Sequence, residues 1–134
     1  MCVLNSELKR NTAQKEIVER IVFSACDHPT AEVVYQRARA ELPNISLGTV
    51  YRILKNLAQD GKILEIPISN APSVFDKTIC LHAHLVCDKC GCVTDVFFDE
   101  NKFADCVKDT SGCNINKAQI LLHGVCVKCT NGAE

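Results

Sequence analysis

The sequence lacks a long apolar run, an N-terminal export signal and an excess of positive charge. No apolar stretch approaches the roughly 20 residues that cross a membrane as a helix. Residues 1–7 lack the basic-then-apolar order of a signal peptide, so we expect a cytoplasmic protein without a membrane partner. The net charge of −1 argues against binding to nucleic acid through bulk charge. Any DNA contact must therefore use a local basic surface or one that dimerisation doubles.

The chain is short, and no low-complexity linker or internal repeat divides it. Its 134 residues suffice for one domain or for two small ones. A unit of half that length buries too little apolar surface to be comfortably stable alone. Such units usually depend on a metal, a disulfide or a partner, and we expect the same here.

Cysteine is what the sequence has in excess, with ten residues of this type. The count alone is typical of a secreted disulfide scaffold. The missing export signal and the presence of two Cys-x-x-Cys pairs favour metal binding instead.

The two pairs are Cys87 with Cys90 and Cys126 with Cys129. Four thiolates in two tight pairs suit tetrahedral Zn²⁺, and a closed set of four protein ligands indicates a structural role. A redox dithiol and a 4Fe–4S cluster are the alternatives. We interpret the remaining cysteines as small buried hydrophobes or free thiols, with Cys92, close to the first pair, as the most reactive.

Hydrophobic periodicity predicts three helices followed by two short strands in the first half of the chain. The helices are expected over residues 9–25, 31–41 and 47–60, and the strands over residues 62–68 and 73–76. Thr12, Thr30 and Ser46 are the predicted N-caps. One face of the third helix is apolar, and the opposite face is polar and basic. Three helices and a β-hairpin form a winged helix.

The second half of the chain reads as a small α/β unit. Its predicted elements are strands over residues 82–86, 92–98 and 115–125 and a helix over residues 100–110. The expected fold class is therefore α+β. We expect a winged-helix DNA-binding domain over residues 1–77, a hinge over 78–81 and a metal-binding domain over 82–134.

Two histidines, His82 and His84, stand two positions apart on a predicted strand. Side chains at i and i+2 leave the same face of a strand, so both imidazoles point to one spot. Asp76 and Asp95 flank the pair, and His28 lies in a loop of the helical half. These five side chains would form a nitrogen and oxygen site that suits Fe²⁺ or Mn²⁺ and fixes the orientation of the two halves. Exposed histidines and an ordinary loop histidine are the alternatives.

Together these motifs resemble the ferric-uptake-regulator family, and most closely its peroxide-sensing branch. The resemblance covers nearly the whole chain in order. The matching segments are HPTA at 28–31, PNISLGTVYR at 43–52, FD at 75–76, HAHLVCDKCG at 82–91, Asp95, and GVCVKC at 124–129.

The resemblance implies a homodimeric, metal-dependent DNA-binding repressor with a C-terminal dimerisation domain. By position, it assigns the regulatory metal to His28, Asp76, His82, His84 and Asp95, and structural zinc to the two cysteine pairs. An aspartate at position 95 and the run Leu81-His82-Ala83-His84 resemble the peroxide-sensing branch. There, bound Fe²⁺ reduces peroxide, a ligand histidine is oxidised irreversibly and DNA is released. By analogy the oxidised residue would be His28 or His82.

The outer face of the third helix is the expected reader of operator DNA. Arg52 suits a guanine edge or a phosphate, and Tyr51 suits a thymine methyl. The free N–H groups that follow Ser46 can meet a phosphate, and a two-fold dimer would present two such helices to an inverted repeat. The expected contacts are Ser46, Thr49, Tyr51, Arg52 and Lys55. A merely solvated helix face is the alternative.

Three features depart from the family pattern, namely Ala13-Gln14-Lys15 in the first helix, Cys92 and His123. The first is expected to weaken a phosphate contact, and the other two leave room for a further thiol or histidine response. A repressor that responds to iron or zinc level is the alternative in the same class. A mononuclear iron enzyme and a zinc-ribbon interaction module are the alternatives from other classes.

Overall fold

A computed structural model describes residues 2–107 and 112–132 of the chain. The chain divides into two compact units, Met1–Ile79 and Cys80–Glu134. The first unit combines helices with a hairpin, and the second combines a sheet with short helices, which makes the fold α+β. Among the described residues, no helix has both the length and the apolar character needed to cross a bilayer.

The first unit consists of three helices and a two-stranded antiparallel hairpin. Its elements in chain order are α1 (Cys2–Ser24), α2 (Ala31–Arg39), α3 (Leu47–Gln59), β1 (Leu64–Ile68) and β2 (Ala71–Asp76). Thr30 and Ser46 are the N-caps of α2 and α3, and each side chain accepts a hydrogen bond from the backbone N–H three residues on. These two predicted caps are confirmed. Asn70 takes a positive φ of 59° at the hairpin turn, a conformation that asparagine tolerates.

The core of the first unit comes from the apolar faces of its three helices. Burial of each such side chain contributes about 1.5–3 kcal/mol relative to exposure. The buried side chains include Val18, Ile21 and Val22 of α1, Val34 and Ala38 of α2, Val50, Ile53, Leu54 and Leu57 of α3, and Phe75 of β2. Because these positions of α3 face inward, Tyr51, Arg52 and Lys55 are left on the surface.

Strand β2 is fastened to the loop that precedes α2. The backbone N–H of Phe75 donates to the carbonyl oxygen of Pro29 at 2.9 Å, and Thr30 and Val74 form an antiparallel bridge. This attachment brings the end of β2 beside the residue that precedes Pro29, which is His28.

The second unit is built on a three-stranded sheet of order β4-β3-β5. Its elements are β3 (Ala83–Cys87), β4 (Val93–Val96), α4 (Glu100–Cys106), β5 (Ile120–Gly124) and α5 (Val127–Gly132). Strand β3 pairs antiparallel with β4 and parallel with β5. Both cysteine pairs therefore lie at one end of the sheet, where β3 and β5 finish side by side with Cys87 opposite Gly124.

Several predicted boundaries are wrong, each for a local reason. Helix α1 begins at Cys2 rather than near residue 9, so Thr12 lies inside the helix and is not its N-cap. The leucine, glutamate, lysine and arginine residues before Thr12 are good helix formers, and no glycine or proline stands among them. Strand β5 covers only five residues of the apolar stretch expected over 115–125. Helix α4 ends at Cys106, and the predicted continuation over 108–110 lies outside the described residues.

Candidate functional site

Four cysteine thiols of the second unit form a cluster at the end of the sheet. The Sγ atoms of Cys87, Cys90, Cys92 and Cys126 all lie within 4.8 Å of one another. The Sγ atoms of Cys90 and Cys126 are 3.7 Å apart. With zinc–sulfur bonds of about 2.3 Å, the edge of a ZnS₄ tetrahedron is about 3.8 Å long, so this spacing fits one zinc ion.

The backbone around Cys87 is arranged to hold a thiolate. Its Sγ atom accepts hydrogen bonds from the N–H of Cys90 at 3.4 Å and from the N–H of Cys126 at 3.3 Å. Gly91, with a φ of +76°, donates its N–H to the carbonyl oxygen of Cys87 and closes the turn. A residue with a side chain would be strained at that φ.

Two thiols of the cluster favour the charged form, whereas that of Cys92 and that of the adjoining Cys129 resist it. Hydrogen bonds from the backbone N–H groups of Cys126 and Cys90 lower the pKa of Cys87 to about 6. The backbone N–H of Cys129 likewise lowers the pKa of Cys126. A side-chain hydrogen bond with Cys90 is the main cause that raises the pKa of Cys92 to about 12. A side-chain hydrogen bond with Cys126 raises the pKa of Cys129 to about 12. Cys92 or Cys129 can therefore take part as a thiolate at neutral pH only beside a cation that neutralises it.

The observed cluster differs from the predicted zinc set in one member. Cys87, Cys90 and Cys126 come together as expected, and the fourth thiol within mutual reach is Cys92. Cys129 lies at the margin of the cluster, where its thiol interacts with those of Cys126 and Cys90. The sequence drew attention to Cys92 through its closeness to the first pair and its departure from the family pattern. The donor chemistry and the spacing both fit a structural zinc ion.

In the first unit, the structure brings two of the expected regulatory ligands together. The Nε2 atom of His28 lies 3.4 Å from the Oδ2 atom of Asp76, and their side chains are only 9% and 5% exposed. The other carboxylate oxygen of Asp76 accepts a hydrogen bond from the N–H of Thr78 at 2.9 Å. The attachment of β2 to Pro29 therefore produces a buried imidazole–carboxylate pair.

In the second unit, the structure brings the other three together. The Nε2 atoms of His82 and His84 lie 2.9 and 3.3 Å from the same Oδ1 atom of Asp95. His84 and Asp95 are directly opposed in the β3–β4 ladder. The two histidine side chains are 0% and 3% exposed. Both imidazoles thus converge on one carboxylate, as the i, i+2 spacing predicted.

The hydrogen bonding of His82 indicates what this group of three side chains is suited to bind. Its Nδ1 atom lies 2.7 Å from the carbonyl oxygen of Cys80, an acceptor that requires a proton on Nδ1. In the neutral ring, the lone pair of Nε2 then faces the carboxylate of Asp95 at 2.9 Å. Two lone pairs at that distance need a shared proton or a cation between them. Nitrogen and oxygen donors without sulfur fit Fe²⁺ or Mn²⁺.

The polar face of α3 forms a candidate nucleic-acid surface. The Oγ atom of Ser46 accepts from the N–H of Thr49 at 3.1 Å and donates to its Oγ1 atom at 2.9 Å. Tyr51 is 38% exposed, and Arg52 is exposed beside it. Lys55 is exposed but forms an ion pair with Glu65 of β1, which neutralises part of the charge that we assigned to this face.

Arg52 lies between two open grooves that α1 and α3 form together. One, of about 500 Å³, is shared with Arg10 and Gln14 of α1. The other, of about 340 Å³, is shared with Lys15. Helix α1 therefore adds two exposed cations to this surface. Arg10 reaches the surface only through the packing of α1 against α3, whereas Lys15 belongs to the segment Ala13-Gln14-Lys15 that the family resemblance had linked to a phosphate contact.

Comparison with known proteins places the chain among metalloregulators. The sequence model of the ferric uptake regulator family matches residues 5–123. A peroxide-responsive repressor, PerR, of Staphylococcus epidermidis is 28% identical over 121 residues, which make up 90% of this chain and 81% of that protein.

Two solved structures have the same fold. The Campylobacter jejuni peroxide stress regulator gives a TM-score of 0.77 at 29% identity, with 95% of this chain and 96% of that chain covered. A ferric uptake regulator from Pseudomonas aeruginosa, solved with manganese, gives a TM-score of 0.68 at 27% identity, with 92% and 98% covered. Because the family match spans both units, the chain belongs to the ferric uptake regulator family of metal-dependent transcriptional regulators.

Proposed function

We propose that this protein is a homodimeric, metal-dependent repressor that senses peroxide through iron-catalysed oxidation of a ligand histidine. The observation that carries the proposal is the convergence of the two buried imidazoles of His82 and His84 on the carboxylate of Asp95. This arrangement offers two nitrogen donors and one oxygen donor on a single sheet. It leaves coordination positions for further ligands of a six-coordinate ion.

The missing ligands are proposed to come from the first unit, as the pair His28 and Asp76. Asp76 and His82 are six positions apart in the sequence, so the chain can separate them by at most about 20 Å. In each unit a histidine and an aspartate already have their donor atoms at contact distance, and the imidazoles of His28 and His82 are 9% and 0% exposed. One Fe²⁺ or Mn²⁺ ion held by His28, Asp76, His82, His84 and Asp95 would fix the orientation of the DNA-binding unit.

The proposed response uses the chemistry that ferrous iron supplies when bound, which is reduction of peroxide. In the net reaction, one oxygen atom of peroxide is inserted into the imidazole of His28 or His82, and the other leaves as water. The oxidised imidazole no longer binds the ion as the histidine ring did. The orientation of the DNA-binding unit is then no longer held, and operator affinity falls. Manganese in the same site would support binding to DNA without this oxidation.

The DNA-binding role is proposed for the polar face of α3. The helix has 13 residues and is about 20 Å long, enough to enter a major groove. Arg52, Tyr51 and Thr49 would read bases or contact phosphates. The cations of α1, Arg10 and Lys15, would contact the flanking phosphates. Action on operator DNA implies a cytoplasmic protein.

A homodimer is proposed because the second unit exposes several large apolar side chains. A small unit rarely leaves so many exposed unless a partner covers them. They are Phe97 at 65%, Ile115 at 55%, Leu122 at 42%, Val125 at 40% and Val127 at 74% exposure. A two-fold pairing through this unit would present two copies of α3 to an inverted repeat.

The test is operator binding by the full chain loaded with Mn²⁺ or with Fe²⁺, before and after micromolar peroxide. The proposal predicts that peroxide abolishes binding by the iron form and leaves the manganese form unchanged. Mass spectrometry of the iron form should show a gain of about 16 Da on the peptide containing His28 or His82, which corresponds to one oxygen atom. Equal persistence of binding in both forms would instead favour a repressor that follows iron or zinc level.

A further inference from the structure

The cysteine cluster contains more thiols than a zinc ion can bind. Cys92 shares the mutual 4.8 Å spacing of Cys87, Cys90 and Cys126, and Cys129 adjoins the same cluster through Cys126 and Cys90. Structural zinc takes four ligands, so one of the five thiols is always displaced. The geometry of the cluster indicates which thiol is left unbound.

We propose that Cys92 is an alternative zinc ligand that exchanges with Cys129. Cys87, Cys90 and Cys126 belong to both ligand sets, and the fourth position is taken by either of the other two. The inference rests on the zinc centre of the proposed function and adds to it a residue outside the two Cys-x-x-Cys pairs.

The backbone holds Cys92 in place for this role. The N–H of Cys87 donates to the carbonyl oxygen of Cys92 at 2.9 Å, which fixes residue 92 opposite Cys87 just before β4. The left-handed turn at Gly91 lies between Cys90 and Cys92. The sequence Cys-x-x-Cys-Gly-Cys therefore brings three thiols of one tight turn into the cluster, and the third needs no rearrangement of the sheet to reach the ion.

The attachment of Cys129 is the weaker one. It stands on α5, a helix of six residues in which no residue is buried. The hydrogen bond from the N–H of Thr130 to the carbonyl oxygen of Cys126 is local to that helix. By contrast, Cys87 and Cys126 are only 2% and 7% exposed. Release of Cys129 therefore uncovers little apolar surface, whereas release of Cys87 or Cys126 would open the end of the sheet.

The exchange has a consequence for thiol chemistry. At any moment one thiol, that of Cys92 or of Cys129, is near zinc but not bound to it. Each spends part of its time accessible to a reagent, since Cys92 is exposed and Cys129 is intermediate in exposure. An alkylating agent of the maleimide class should therefore modify both residues partially in the zinc-loaded wild-type protein. It should modify Cys106, which is exposed on α4 outside the cluster, completely.

The experiment combines this labelling with zinc retention by the full chain. A brief pulse of N-ethylmaleimide on the zinc-loaded wild-type protein is read by peptide mass spectrometry. Zinc loss to excess EDTA is followed by native mass spectrometry in Cys92→Ser, Cys129→Ser and the double variant, with Cys106→Ser as the matched control. Both single variants should retain one zinc per chain, and the remaining exchange partner should become protected from the label. The double variant should lose zinc at least about tenfold faster than either.

Two results would overturn the exchange while leaving the zinc centre intact. The first is loss of zinc from one single variant at the rate of the double variant, since that residue would then be the sole fourth ligand. The second is complete labelling of either Cys92 or Cys129 in the wild-type protein with full protection of the other, a readout that does not depend on the variants folding. A wild-type chain that binds no zinc would overturn the structural zinc centre as well.

Discussion

The imidazole of His82, the residue before β3, faces the carboxylate of Asp95 on β4. The Nε2 atom of His82 lies 2.9 Å from the Oδ1 atom of Asp95, while the carbonyl oxygen of Cys80 faces Nδ1 at 2.7 Å. The carbonyl selects the tautomer with a proton on Nδ1, so in the neutral ring the lone pair of Nε2 meets a carboxylate oxygen. A shared proton or a divalent cation then has to lie between the two atoms, and a divalent cation would accept both lone pairs.

Substitution Asp95→Asn should therefore weaken binding of Mn²⁺ by at least about tenfold. The amide keeps the shape of the carboxylate but removes its charge, and its NH₂ group cannot bind a cation. Manganese affinity can be measured by isothermal titration calorimetry on the zinc-loaded protein.

Asp99→Asn is the matched control for this change. Asp99 is an exposed carboxylate of the same unit that caps α4 through the N–H of Asn101, and asparagine caps a helix equally well. The control should bind manganese like the wild type. Equal affinity in Asp95→Asn would remove Asp95 from the regulatory site.

Substitution Arg52→Ala should reduce operator affinity by about 1–3 kcal/mol, with manganese affinity unchanged. Arg52 is exposed between the two grooves that Arg10 and Lys15 flank, so its loss removes the centre of the basic surface. Fluorescence anisotropy with labelled operator DNA measures the change.

The comparison variant for Arg52 is Lys55→Ala on the same helix. Glu65 already pairs with Lys55, so its removal should cost less operator affinity than removal of Arg52. A larger loss of operator affinity in Lys55→Ala than in Arg52→Ala, or no loss in Arg52→Ala, would mean that another surface of the protein contacts DNA.

Substitution Leu122→Lys should convert the proposed dimer to a monomer at concentrations where the wild type is dimeric. Leu122 is 42% exposed on β5, an edge strand of the sheet in the second unit. A charge there would have to be buried without a partner in an interface. Light scattering coupled to size-exclusion chromatography gives the mass.

Phe23→Lys is the matched control, because it places the same charge on an equally exposed apolar position. Phe23 is 41% exposed on α1 of the other unit. This variant should leave the dimer intact. A Leu122→Lys protein that stays dimeric with its zinc retained would place the subunit interface elsewhere.

The parts of the fold that are decided by residues close together in the sequence could be predicted from the sequence. Ser46 was identified as the N-cap of α3 because capping is decided within three residues. The inward positions of α3 followed from its 3.6-residue period. The start of α1 was misplaced, because Thr12 looks like a cap only if the preceding residues are not helical.

The parts of the candidate sites that depend on packing could not be predicted locally. Arg10 reaches the surface around Arg52 only because α1 packs beside α3. Cys92 enters the thiol cluster because its carbonyl oxygen accepts a hydrogen bond from the N–H of Cys87 just beyond the β3–β4 ladder, a contact that no spacing rule encodes. The pairing of His28 with Asp76 likewise depends on the hydrogen bond between Phe75 and Pro29. The sequence placed both residues in one candidate metal site from their residue types, and the family resemblance supported that assignment.

The proposed switch requires that one ion is bound by ligands from both units. Anomalous diffraction at the manganese edge, from crystals of the manganese-loaded, zinc-containing protein, tests this requirement directly. We expect one manganese peak per chain, within bonding distance of His28, Asp76, His82, His84 and Asp95. A manganese peak bonded to His82, His84 and Asp95 alone, with His28 and Asp76 facing solvent in the DNA-competent form, would contradict it.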